Sequence, residues 1–251
     1  MSQAFINNHH HDFYRSACLN VKETGKNYSI LNRSINSLIS KNLLDNGQLT
    51  SSCQKEIKSL TKLAILAYTA YTEALFLKLI YTCNGFTKDE ISQIFKTQKK
   101  ENIIKAWKKA FEISAKKSIG KKSNFFPNSI RKINNIIDIH LKEPSELRNK
   151  IAHGQWAVAF NSKNSEINQD LTVKIEKISI VDINKWLIVF KTLSELISLA
   201  IQSPLKGYPQ QFWEKITQIE KNLNETSTWS LEEKIKKIHI KKSHSRLENN
   251  S

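Results

Sequence analysis

Residues 51–83 read SSCQKEIKSLTKLAILAYTAYTEALFLKLIYTC, a run without a single glycine or proline. That run predicts one long helix, capped at its start by Ser51 or Ser52 and meeting no breaker before Gly85. Its second half, 64–79, is apolar on nearly every side, which is how a helix reads when it lies in the middle of a core. A bilayer span is the poorer reading, because residues 63–81 include Glu73, Lys78 and several hydroxyl side chains that hydrocarbon would not solvate. Glu73 needs a partner on such a face. An ion pair or a backbone hydrogen bond would satisfy it, and support of a functional site is the other reading.

The remainder of the chain agrees with a helical protein. Only 6 Gly and 4 Pro occur in 251 residues, too few for the turns of a strand-rich fold or for a glycine-looped nucleotide-binding sheet. A hydrophobic content of 39% suffices for a buried core, so intrinsic disorder is excluded as a description of the whole. Lys and Arg number 39 against 23 Asp and Glu, a net charge of +16, which favours a polyanionic partner such as nucleic acid or an anionic surface. Cys18, Cys53 and Cys83 form no clustered pattern. Neither a disulfide framework nor a zinc site is expected, and with no visible secretory leader the reading is a soluble, cytoplasmic protein with no cofactor and no metal.

Outward from the central helix, residues 1–50 read as a polar arm with one short helix over 29–44, where Ile30, Leu31, Ile35, Leu38 and Ile39 recur at helical spacing. His9, His10 and His11 belong to that arm. A second helical region covers 88–123, a third helix 128–141 ending near His140, and Pro144 opens a short helix that Gly154 ends. Alternation over 156–160 and 171–180 predicts a small β-hairpin. Asp182 then caps a strong helix over 183–201, and Pro204, Gly207 and Pro209 separate it from a helix over 210–223 and a partly ordered basic tail, 234–246. The organisation is an arm (1–50), a helical domain (51–202) and a C-terminal extension (203–251).

Window 88–123 holds eleven Lys against four acidic residues. Such a face is either solvated surface or a track for phosphates, and as a track it would include Lys108, Lys109, Lys116, Lys117, Lys121 and Lys122, joined by Lys150. Trp107 and the pair Phe125 and Phe126 have rings that stack on bases, although the apolar periodicity around Trp107 makes it a core residue.

One short stretch carries a mechanism: Glu146-Leu147-Arg148-Asn149-Lys150-Ile151-Ala152-His153-Gly154. Arg148 offers a fork of donors matched to phosphate, His153 moves protons near neutral pH, and Asn149 adds a neutral donor and acceptor. Five residues apart on an ideal helix, Arg148 and His153 sit some 140° apart around the axis, so they share a face only if the helix ends, as Gly154 suggests. The plain alternative is a helix-terminal histidine beside an arginine in a surface ion pair with Glu146 or another acid.

Arg148 to His153 matches the R-x4-H signature of the HEPN (higher eukaryotes and prokaryotes nucleotide-binding) superfamily, with a polar residue directly after the arginine. The early core helix, the helix leading into the motif and the long helix after it resemble the HEPN bundle over residues 51–202. The resemblance implies an all-α bundle of four to five core helices and a metal-independent endoribonuclease of toxin or antiphage-defence type. It further implies a homodimer that brings two motifs into one basic cleft, with RNA as substrate and an antitoxin or sensor protein as a possible partner. In that implied chemistry Arg148, His153 and Asn149 are catalytic. A non-catalytic HEPN-like module that holds RNA, a nucleotide or a protein is the alternative, and a basic helical protein on a membrane surface is a third.

Overall fold

A computed structural model describes the backbone of residues 3–118 and 125–248 and the side chains of 11–117 and 127–242. Within these bounds the regular structure is entirely helical: α1 (Gln3–Asn42), α2 (Ser51–Ile80), α3 (Lys88–Lys100), α4 (Ile103–Ser118), α5 (Phe125–His140), α6 (Lys142–Ala152), α7 (Gln169–Lys177), α8 (Ile180–Gln202), α9 (Gly207–Thr226) and α10 (Leu231–Glu248).

The apolar run of 51–83 becomes the axis of the molecule as α2, and α8 is its companion. The N-terminal halves of both, with Ile57, Ile65, Tyr68, Ile180, Ile183 and Trp186, share one core with α1, α6 and α7. Their C-terminal halves, with Phe76, Ile80, Phe190, Leu193 and Ile197, share a second core with α3, α4, α5 and α9. Both helices therefore run in the same direction from one core to the other. A chain of rings joins the cores: Tyr28 to Tyr68 at 6.3 Å between centroids, Tyr68 to Phe190 at 6.2 Å, Phe190 to Trp107 at 5.8 Å and Trp107 to Phe76 at 5.0 Å. Trp107 is only 1% exposed, which makes it core and unavailable to a base. By length and composition α2 is also apolar enough to cross a membrane, yet half of its most apolar window is buried inside the protein.

Several elements differ from the sequence expectation. Residues 3–42, read as a polar arm with one short helix, form a single long helix lying antiparallel on α2, with Leu38 beside Cys53, Tyr28 beside Tyr68 and Phe13 beside Tyr81. Asn and Ser carry weak helical propensity, so composition hid it; packing of Ala17, Tyr28, Ile35 and Ile39 onto α2 supplies what propensity lacks. The expected hairpin is absent among the described residues. Its second strand is α7, capped by Asn168, whose side chain accepts the Leu171 N–H at 3.0 Å. The alternation of Leu171, Val173 and Ile175 is coincidental: Val173 is exposed, and Leu171, Ile175 and Ile178 meet the core at helical spacing. Segment 156–160 stays irregular, with an isolated bridge between Phe160 and Ile167.

Helix starts shift for a related reason. Thr50, rather than Ser51 or Ser52, caps α2 by accepting the Cys53 N–H. Ser179, rather than Asp182, caps α8, with Asp182 three residues inside a reciprocal capping box. Ile180 and Val181 are buried and draw the helix start toward them. The expected tail is α10, which packs Leu231, Ile235 and Ile238 against the α1 side of the protein.

Two consequences are measurable. The Tyr68 hydroxyl is buried without a hydrogen-bond partner among the described residues, so Tyr68→Phe should leave stability unchanged or raise it by about 1 kcal/mol, whereas Phe190→Ala, which opens both cores, should cost about 3–5 kcal/mol by urea titration. His140 is held below the ordinary imidazole value of 6.5 by burial. Its folded form binds protons less readily than the unfolded chain, so it stabilises nothing on acidification: stability should decline as pH falls below about 6.5, and His140→Gln should flatten that decline.

Candidate functional site

The R-x4-H stretch sits on α6 and its C-terminal cap. Pro144, Leu147 and Ile151 are buried and seat α6 against its neighbours, which fixes where the residues between them point. Arg148, next to Leu147, leans on α2 and meets Glu73 at 3.5 Å, while a second guanidinium nitrogen donates to Asn149 Oδ1 at 3.0 Å. The oddity of the central helix thus has its partner. Arg148 and Glu73 side chains are 37% and 41% exposed, so Glu73 is half-buried rather than sealed, and the pair contributes only about 0–1 kcal/mol to folding. What the pair does is orient the guanidinium. Glu146 pairs instead with Lys142, at 3.8 Å.

His153 is the C-cap of α6, and Gly154 follows it with φ of +79°. The Gln155 N–H reaches back to the Lys150 carbonyl at 2.9 Å and the Gly154 N–H to the Ile151 carbonyl at 3.1 Å, which closes the helix in a Schellman turn. The His153 side chain is exposed and lines an open depression of about 460 Å³ with Trp156, Phe160 and Asn164. No described hydrogen bond or ion pair joins it to Arg148. Asn149 is exposed beside them. A single chain therefore presents the two groups at one helix end without bringing them into contact.

Four of the lysines of the expected track are held in ion pairs. Lys108 pairs with Asp138 at 2.5 Å, Lys109 with Glu112 at 3.6 Å and Lys116 with Glu112. Lys117 pairs with Glu90 at 2.7 Å, donates to the Gly85 carbonyl and lies over the Phe86 ring. Lys150 donates to the Phe160 carbonyl, so it braces the loop after the motif. Lys121 and Lys122 lie outside the described residues, as do the side chains of Phe125 and Phe126, of His9 and of His10. Of the acids that pair with these lysines, Glu90 and Glu112 lie inside 88–123, and only Asp138, 30 residues from Lys108, is brought from outside it by folding.

Sequence reading also missed Lys62. It donates to the Trp156 carbonyl at 2.6 Å and ties the loop after His153 to α2, and burial, followed by the neighbouring Lys58, lowers its pKa. A lone lysine at the edge of an apolar helix was the available signal. Among the described residues, no three His, Cys, Asp or Glu side chains converge as metal ligands.

Gly154 has open space where a Cβ would stand, so its substitution tests backbone conformation alone. Gly154→Ala should cost about 1–2 kcal/mol by urea titration, with Gly154→Asn less damaging, and equal stability of all three proteins would show that this turn does not need a left-handed residue. Compared with family models, with curated proteins and with solved structures, the chain finds no match.

Proposed function

We propose that this protein is a metal-independent endoribonuclease of the HEPN type, acting in toxin or antiphage-defence fashion, with a site completed by a second copy of the chain. The observation that supports it most is the placement of Arg148 and Asn149 on the last turn of α6 and His153 on its cap. All three are at least partly exposed, and Arg148 is oriented by Glu73. Residues that merely held α6 in place would be turned inward, as Leu147 and Ile151 are.

In this reading the RNA 2′-oxygen attacks the adjacent phosphorus, the bond from phosphorus to the 5′-oxygen breaks, and the products are a 2′,3′-cyclic phosphate and a 5′-hydroxyl. His153 moves the proton to or from these oxygens, Arg148 stabilises the charge that builds on the phosphorane, and Asn149 orients one of its oxygens. Glu73 acts through Arg148 and is a positioning residue. Because Arg148 and His153 do not touch within one chain, a symmetric partner would bring the Arg148 of one subunit and the His153 of the other to the same linkage. A restraining antitoxin or sensor protein would fit such an enzyme.

A second reading has its own observation. The Arg148 guanidinium is already paired with Glu73, and Lys108, Lys109, Lys116 and Lys117 of α4 are paired with acids, which suits a module that binds RNA, a nucleotide or a protein without cutting.

Labelled RNA incubated with the protein in excess EDTA separates the two. Cleavage to cyclic-phosphate ends is expected, with Arg148→Ala and His153→Ala each reducing it by at least about 10²-fold, Asn149→Ala by less, and Glu73→Gln altering rate with little effect on folding. Mixing the two inactive variants should restore part of the activity, since a mixed dimer keeps one intact arginine and one intact histidine. Undiminished cutting by either single variant sinks the assignment, and an intact RNA lane with wild-type protein leaves the non-catalytic module.

A further inference from the structure

A cleft of about 1030 Å³ lies elsewhere, between α1, α8 and α10. Its floor is apolar, with Val181, Leu187, Ile188 and Ile238, and is flanked by polar groups from α1 and α8. The α10 wall is unusual. A helix that closes a cleft normally turns apolar residues into it, yet Lys234, Lys237 and Lys241 follow one another at spacings of three and four and all line it. They form a row about 10 Å long.

The first two charges of this row are not cancelled locally. Lys234 and Lys237 make no ion pair among the described residues, in contrast to Lys108, Lys109, Lys116 and Lys117 of α4. Glu233, the only acid lining the cleft among the described residues, is engaged by Lys236 at 3.0 Å. Burial lowers the Lys234 pKa, as expected of an ammonium that lacks an anion. At the rim Trp229 is 40% exposed, a large flat ring left open to solvent beside the lysines. On the opposite wall Asn184 is bonded to Tyr28 and Asn32. Unpaired cations beside a stacking ring are the parts of a single-strand binding groove.

We propose that the cleft between α1, α8 and α10 holds a strand of RNA, its phosphates along Lys234 and Lys237 and one base stacked on Trp229. The cleft is an open trough rather than a closed cavity, which suits a passing strand better than a free nucleotide. An acidic peptide would use the lysines but leave the ring unexplained. The choice of RNA rests on the ribonuclease reading; the groove itself does not involve Arg148 or His153.

Fluorescence anisotropy with a labelled single-stranded RNA of fifteen nucleotides tests this on the full-length His153→Ala protein, which keeps the probe intact. Joint Lys234→Gln and Lys237→Gln substitution should weaken binding at least tenfold and lower the slope of log affinity against log salt by about one to one and a half, as expected for two lost phosphate contacts. Trp229→Ala should weaken it about fivefold or more, with Trp229→Phe close to unchanged. The same joint substitution at Lys96 and Lys191, exposed lysines on α3 and α8, should have little effect. Circular dichroism melts confirm that each variant folds. Equal weakening by the control pair, unchanged binding by the groove variants, or displacement of the RNA as readily by ATP or polyglutamate as by unlabelled RNA would each overturn the proposal. Groove-dependent binding without wild-type cleavage would remove the nuclease and leave the groove; cleavage with groove-independent binding would do the reverse.

Discussion

The parallel pairing of α2 with α8 is the constraint on which the rest of the structure depends. Each helix is buried in one core through its first half and in another through its second, so neither core is complete without both. Tyr68 and Phe190 stand where the cores meet, with Trp107 and Phe76 continuing the contact on one side and Tyr28 on the other. This explains why the centre of α2 is apolar nearly all round. It is surrounded, and a polar residue is tolerated there only where a neighbour answers it. Glu73 is such a residue, answered by Arg148 on α6.

The candidate site inherits its geometry from that axis. α6 is short and anchored by Leu147 and Ile151, and its end is set by the left-handed Gly154, so the positions of Arg148 and His153 relative to α2 leave little freedom. Lys62 and Lys150 hold the loop that follows through backbone carbonyls at Trp156 and Phe160. Two lysines that would count as phosphate ligands on charge alone are structural braces here. The groups that remain presented at this helix end are one guanidinium, one imidazole and one amide.

Electrostatics divides the molecule in a way that net charge conceals. Lys108, Lys109, Lys116 and Lys117 of α4 meet acids contributed by α3, by α5 and by α4 itself, and surface pairs of this kind add little to the stability of the fold. On α10 the equivalent row faces a cleft with a single acid among the described residues, itself engaged by a neighbouring lysine. On the α10 side Lys234 and Lys237 therefore stand without an ion pair among the described residues, beside an exposed tryptophan.

Much of this protein was decided locally. The scarcity of glycine and proline, the unbroken apolar run of α2 and the helical spacing in α4, α5 and α8 determined an all-helical chain with α2 at its centre, because burial of an apolar helix face is a property of the sequence itself. The Arg148 to His153 spacing and the helix end at Gly154 were legible for the same reason. Tertiary structure alone decided the rest. It made α1 from a polar stretch whose helicity comes from packing on α2, and it turned the alternating segment of α7 into a helix by burying Ile175 rather than Val173. It also chose which lysines are paired. Contacts between residues distant in sequence set these outcomes, and neither propensity nor charge counting contains the information about which neighbour will arrive.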